Sequence, residues 1–389
     1  MRYTEVSAVN GVRNDVDAER FVSGDLQSAT NIDIDETGKA RRRAGTSVVF
    51  PGSAHSVWGD KTQGFFVQGG WLHRFLPDRT TTALVEVLGD RVSYVGVNSD
   101  VYWTDGVAAG VVSQGVSYPW GIAPPPRLGG IATTGNVSGQ ILGTMTYVDA
   151  NGVESGAPQT SAFEGSISLS LPVSGDPRVT HKHIYMSAVG GDVPLLSMVV
   201  PNSEVTVQLT DMMPRQTVPV RTQFLTPPPA GTVLGYYRGR TYVAVGPFLM
   251  FSQPYEYALF DLRSDFLTFS ADIQTFAAVS DGIFIGTTNE TFFLRGTNPA
   301  EFTMQLVAPH GTIRGTEQIV AGDTTGADDE RGKAVVALWM AKTGLTLGNT
   351  GGTIEGLTAR KFTPPAASTG AALIKKRGST PQYITSLFN

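Results

Sequence analysis

The chain has 389 residues, 41% apolar and 16% charged, with 45 glycines and 23 prolines; that excludes a stapled miniprotein, a disordered polyampholyte and a coiled coil, and the glycine content implies many turns. There is no cysteine and there are five histidines, which removes disulfides, thiolate metal sites and thiol catalysis. Lysine plus arginine (29) against aspartate plus glutamate (34) gives a net charge of −5, so the whole chain has no attraction for nucleic acid or an anionic membrane, and any DNA contact is local or transient.

In chain order, the first residues carry charges and no apolar core, so no targeting signal is expected. No run approaches the roughly eighteen apolar residues of a spanning helix, so no membrane-spanning segment is expected either. Asp33, Asp35, Thr37 and Gly38 match positions one, three, five and six of a calcium loop, but the twelfth position is Ala44, which supplies no bidentate carboxylate. A hairpin turning at residues 35–38 is the expectation there. Strand-sized runs follow at 92–97 and 101–103, then at 241–245, 248–251, 276–279, 282–286 and 290–294. Tyr242 and Phe284 occupy comparable places 42 residues apart, inside the roughly 40–45-residue period of a four-stranded propeller blade.

Two triple prolines, Pro124-Pro125-Pro126 and Pro227-Pro228-Pro229, bracket a segment of one domain's length, and such triplets are stiff extended connectors. Inside it, alternating runs at 140–148, 166–171, 181–186, 195–200 and 205–209 are separated by turn residues such as Asp149-Ala150-Asn151-Gly152, the pattern of an all-β sandwich. Thr146-Tyr147-Val148-Asp149, Asn151-Gly152-Val153-Glu154-Ser155-Gly156-Ala157-Pro158 and His183-Ile184-Tyr185-Met186 resemble a fibronectin type III domain. Residues 309–332 hold five glycines and the acidic run Asp328-Asp329-Glu330, and a long loop is expected. The apolar run 333–340 suits either a helix or a buried strand. The resulting expectation is an all-β chain, a β-propeller interrupted by an inserted fibronectin type III-like β-sandwich. Residues 1–123 give an N-terminal arm, hairpin and first blades, 127–226 the insert, and 230–389 the remaining blades. Runs 47–50 and 382–388 are the expected strands that close the ring from both chain ends.

Signals for chemistry are sparse. His181 and His183 share a strand face and could hold a metal together, but no third ligand stands near. Residues 326–333 superficially resemble a phosphate loop, with five residues between the glycines and Ala334 where a hydroxyl is needed. Neither HExxH nor GxSxG occurs, and the recurring aspartate box of sialidases is missing. No catalytic residue, metal site or cofactor is assigned. The dense positive runs are Arg41-Arg42-Arg43 and Lys375-Lys376-Arg377; either could touch phosphate backbone or a partner, or simply face solvent and pair with acids.

The amino terminus carries the sharpest signal: Gly11-Val12-Arg13-Asn14, then Leu26-Gln27-Ser28-Ala29-Thr30-Asn31-Ile32-Asp33-Ile34-Asp35, then Thr37-Gly38-Lys39-Ala40-Arg41-Arg42-Arg43-Ala44-Gly45. It resembles the start of tail proteins of tailed bacteriophages, in particular the nozzle or tail-hub proteins of short-tailed phages, with Ala44 where that family often has proline. The resemblance implies a non-enzymatic structural role: a homohexameric ring in the virion tail, made in the host cytoplasm, that retains packaged DNA and forms the channel for its ejection. Implied partners are further copies of itself, adjoining tail adaptor or fibre proteins, and transient non-specific contact with passing double-stranded DNA. The competing readings are a receptor-binding tail protein that recognises a cell-surface glycan, and a propeller glycan-cleaving enzyme.

Overall fold

The computed structural model describes residues 8–35, 37–45, 47–133, 139–209, 217–322, 334–377 and 380–389. It is all-β. Five four-stranded antiparallel sheets each follow the chain from one edge to the other, because short β-branched and aromatic runs alternate with tight turns. Blade 1 is Ala54–Gly59, Gly64–Gln68, Trp71–Phe75 and Thr81–Glu86; blade 2 is Ser93–Val97, Asp100–Thr104, Ala109–Ser113 and Val116–Pro119. After the insert come blade 3 (Val233–Tyr237, Arg240–Val245, Phe248–Phe251, Phe266–Thr268), blade 4 (Ile273–Val279, Gly282–Thr287, Thr291–Arg295, Thr303–Ala308) and blade 5 (Gln318–Ala321, Val335–Ala341, Gly344–Gly348, Ile354–Gly356).

From blade 2 onward the first strands touch in succession, Ser93–Val97 on Val233–Tyr237, that on Ile273–Val279, and that on Gln318–Ala321. Sheets stacked face to face around their first strands make a β-propeller. Tyr102, Tyr242 and Phe284 are each the third residue of their blade's second strand, and each packs towards the following blade, so the aromatic period continues back across the insert. Gly282 opens its strand because a Cβ there would lie 2.4 Å from the Leu294 carbonyl oxygen. Apolar seams join blades 1 and 2 (Phe65, Leu72, Val101, Trp103), 2 and 3 (Tyr102, Leu234, Val243), 3 and 4 (Tyr242, Phe276, Ile283), and 4 and 5 (Phe284, Phe293, Trp339).

The chain leaves this ring after blade 2 and returns before blade 3. The insert has one sheet of Gly129–Thr133, Ser166–Ser170 and Thr206–Leu209, and a second of Ser161–Glu164, Gln140–Asp149, Val179–Met186 and Leu195–Pro201. Ile141, Met145, Leu169 and Ile184, all fully buried, fill one core shared by both sheets. Neither proline triplet lies in a strand, and Pro125 and Pro228 are buried.

Two expectations need correction. Residues 47–50 carry no strand and do not meet 382–388; Thr380–Phe388 pairs with Thr369–Arg377 as a hairpin after blade 5, since two adjacent nine-residue β-formers satisfy each other's ladder locally. Chain ends meet elsewhere: Asn14 donates its backbone N–H to Lys361 O (2.9 Å) and exchanges side-chain bonds with the Thr363 backbone at 2.9 and 2.7 Å. The expected long loop contains Gln318–Ala321 as a strand, because Ile319-Val320 finds a partner ladder in Val336-Ala337; residues 323–332 lie outside the described residues. The run 333–340 resolves as the strand Val335–Ala341.

Candidate interaction surfaces

Beside blade 5 the hairpin Thr369–Arg377 and Thr380–Phe388 makes a sixth sheet in the ring, with two strands where the blades have four. Its inner face packs Ile374 and Tyr383 onto Val336, Leu338 and Leu347 of blade 5, and Tyr383 Oη donates to Thr316 O at 2.6 Å. Alternation sends Leu373, Ile384 and Phe388 to the opposite face, where Leu373 and Phe388 are each 52% exposed. Among the described residues no apolar cluster joins this face to blade 1. Blade 1 shows the matching asymmetry: its first strand is largely exposed, while those of blades 3 and 4 are mostly buried. Its far face is part-covered by Phe50, stacked 5.2 Å from Phe66, and leaves Trp71 exposed.

The basic runs separate on inspection. Ile32–Ile34 and Ala40–Arg42 form the expected hairpin. Its turn is held by Asp35 Oδ1, which accepts from the N–H groups of Thr37 and Lys39 and from the Thr37 hydroxyl; these bonds draw the Asp35 carboxyl below its ordinary range. Asp35 thus caps a turn, and among the described residues no group of three His, Asp or Glu side chains is placed to hold a metal ion. Arg41 pairs with Asp35 at 3.5 Å and Arg43 with Asp33 at 3.0 Å, while Arg42 is exposed. Lys375 is half-buried on the C-terminal hairpin; the side chains of Lys376 and Arg377 lie outside the described residues. The two basic runs belong to separate two-stranded sheets.

A junction the sequence did not flag fixes the insert to the ring. Arg178 forms an ion pair with Asp176 at 2.6 Å, donates to Gly121 O at 2.8 Å and lies 5.2 Å above the Tyr118 ring. Thr226 and Phe260 exchange backbone bonds of 3.0 and 2.8 Å. The attachment of the insert to the ring is therefore tight. Between these supports lies a cleft of about 680 Å³ lined by Trp120, Tyr147, Asp176 and prolines 124, 126, 177, 227 and 228. On the insert, Glu154 accepts from the hydroxyls of Thr146 and Tyr185 (2.7 Å for Tyr185) and stands 3.3 Å from His183 Nδ1. Burial pushes the Glu154 carboxyl up, but His183, Thr146 and Tyr185 together hold it below its ordinary range. Glu256 of the ring is pushed up, by burial and then by the charge of Glu154. His181 is exposed and its Nδ1 lies 2.9 Å from Thr180 Oγ1, whereas His183 stands beside Glu154.

No family model and no curated protein matches the chain. Among solved structures, the chain is similar to the Pan2 WD40 domain of Neurospora crassa (10% identity, 88% of this chain and 93% of that one, TM-score 0.34). It is also similar to the N-terminal domain of Nup159 (8%, 86% and 76%, TM-score 0.32) and to BBS1N in complex with ARL6DN (10%, 86% and 91%, TM-score 0.29). The propeller assignment rests on the sheet order and the contacts between first strands.

Proposed function

We propose that the chain is a structural subunit of a bacteriophage tail, a nozzle or hub ring that retains packaged DNA and forms the channel for its ejection. The observation that carries this reading is the two-stranded sixth sheet, whose nine-residue strand Thr380–Phe388 pairs, among the described residues, only with Thr369–Arg377, and whose outer face shows Leu373 and Phe388. An open edge and exposed Leu373 and Phe388 at the end of a propeller suit lateral packing against neighbours in an assembly. The amino-terminal segment, which resembles the tail family, forms the hairpin expected of it. A net charge of −5 keeps the wall of such a channel from gripping duplex DNA, and exposed Arg42 with Lys375 supplies local, salt-sensitive contact. In this reading the sandwich is a fibronectin type III-like module that faces tail adaptor or fibre proteins. The test is an image of the assembled tail together with Leu373→Ser and Phe388→Ser variants: a six-fold ring lost in the variants supports the proposal. A three-fold arrangement at a fibre tip, or glycan turnover abolished by a single Asp or Glu substitution, would replace it with the receptor-binding or enzymatic reading.

A further inference from the structure

Three charged groups gather beside the leading ends of the first strands. Arg91 lies two residues before Ser93–Val97 of blade 2, Arg314 four residues before Gln318–Ala321 of blade 5 and Glu317 directly before it. All three are half-buried. Arg91 and Arg314 lie within electrostatic reach of each other and of Glu317, yet no ion pair within 4.0 Å involves them among the described residues. Arg314 donates to Thr232 O of blade 3 at 2.6 Å, which uses one of its five N–H groups. Glu317 Oε2 is sealed from solvent and has no hydrogen-bond partner.

Like charges do not gather by themselves in a shielded site: each partly desolvated guanidinium costs free energy, and a second one beside it adds repulsion. The backbone accommodates the arrangement. Gly315 adopts φ +79°, and a Cβ on it would fall 1.7 Å from Arg91 Nη2, so only glycine lets this guanidinium lie against the chain. We propose that Arg91, Arg314 and Glu317 form a binding site for a small tetrahedral oxyanion of the phosphate or sulfate class. Two planar N–H forks match the oxygen spacing of such an anion. Burial pushes the Glu317 carboxyl up, so its protonated form can donate a third hydrogen bond from the oxygen that has no protein partner. The proposal does not depend on the tail reading.

Calorimetric titration of the full chain with inorganic phosphate and with sulfate, at ionic strength matched by chloride, reads it directly. Saturable binding of either anion is expected, with affinity lowered at least tenfold in Arg91→Gln and in Arg314→Gln. Glu317→Gln should bind as well as the parent, because the amide supplies a neutral donor. Should the glutamine variants fail to fold, Arg91→Lys and Arg314→Lys keep the charge but lose the fork, and should fold in chloride and bind more weakly. A third titrant, a nucleoside 5′-monophosphate, separates the sources: binding of it alone assigns the site to the phosphate of a larger ligand. No heat with any of the three, or affinity unchanged by the arginine substitutions, would overturn the site and leave the cluster a structural charge network across the ring.

Discussion

Two seams of the ring join segments that are not consecutive in the chain, and they are built differently. Between blades 2 and 3 the chain departs for the whole insert, yet Tyr102, Trp120, Leu234, Val243 and Phe260 form one buried cluster. Polar bonds reinforce it: Ser93 Oγ accepts from Leu234 N (3.0 Å), Trp120 Nε1 donates to Tyr257 O (3.0 Å), and Thr104 Oγ1 is bonded to both the N–H and the carbonyl of Gly231 at 3.0 Å. Between the C-terminal hairpin and blade 1 no such cluster exists among the described residues, and the arm bonds of Asn14 bring the two ends of the chain together on the exposed side. Covalent continuity therefore does not decide where a propeller is sealed. Facing apolar strands do, and a hundred-residue detour costs little because loop-closure entropy grows only slowly with length.

The sealed seam is the place for the largest loss. Phe260 is fully buried, edge-on to Trp120 at 6.2 Å, and Phe260→Ala should cost about 3–5 kcal/mol by transfer and cavity terms, read as a fall in the denaturant midpoint. If the loss were under about 1 kcal/mol, blades 2 and 3 would not be one cooperative unit.

Next in size is Asp105, whose two oxygens accept from Leu88 N (2.7 Å), Gly89 N (2.9 Å), Val107 N (2.9 Å) and Ala108 N (2.6 Å). It thereby ties the blade 1 to blade 2 connection to the second blade's inner turn. Asp105→Asn turns one acceptor oxygen into a donor facing donors, at a cost of roughly 2–3 kcal/mol. Burial pushes this carboxyl up, but the four amides outweigh it and hold it below 3.8. Its contribution is therefore complete above 3.8 and lost as pH falls through the lower folded value. Stability against acid, compared between parent and variant, should converge at low pH.

Much of this was legible from the sequence and some of it was not, for physical reasons. Strand positions follow from local alternation, and Tyr242 and Phe284 gave the blade period because one blade repeats the surroundings of the last. The bracketing prolines marked the insert because they cannot continue a ladder. Closure was misread because strand pairing between distant ends leaves no local trace, and 382–388 looks the same whether its partner is 47–50 or 369–377. Arg91, Arg314 and Glu317 were invisible for the same reason: each is an ordinary surface-type residue until blades 2 and 5 bring them together. Of the basic runs, the sequence could show the density of charge but not that Asp33, on the neighbouring strand, and Asp35, in the turn, pair with Arg43 and Arg41.

A smaller, signed effect belongs to the insert's attachment to the sealed seam. Glu256 is disfavoured in its charged form by burial and by Glu154, so its penalty is present at neutral pH and relieved as pH falls through its raised folded value towards 4.5. Glu154 is the opposite case: its bonds stabilise above 4.5 and are lost as pH falls through its depressed folded value. Thermal midpoints should rise slightly on mild acidification and then drop. Glu256→Gln should abolish the rise and Glu154→Gln should lower the neutral midpoint; a monotonic profile in the parent would show that the two carboxylates are not coupled across the junction.

The smallest effect is expected at the open seam. Asn14→Ala removes both side-chain bonds to Thr363 but leaves the Asn14 N–H to Lys361 O bond in place. These groups are exposed, so water replaces what is lost and the net cost is about 0.5–1 kcal/mol. The global midpoint should barely move, because no apolar seam depends on the arm, while amide exchange at Thr363 and Asn14 should accelerate clearly, reporting a local opening. If instead Asn14→Ala lowered the global midpoint as far as Phe260→Ala, the arm would be a true closing element and the ring would be sealed at both non-consecutive seams. If exchange and midpoint were both unchanged, the arm would be held by its own internal bonds, Val9 N to Gly38 O and Asn10 N to Gly24 O at 2.8 Å each, and closure of the ring would fall to the hairpin face with Leu373 and Phe388, through a neighbour.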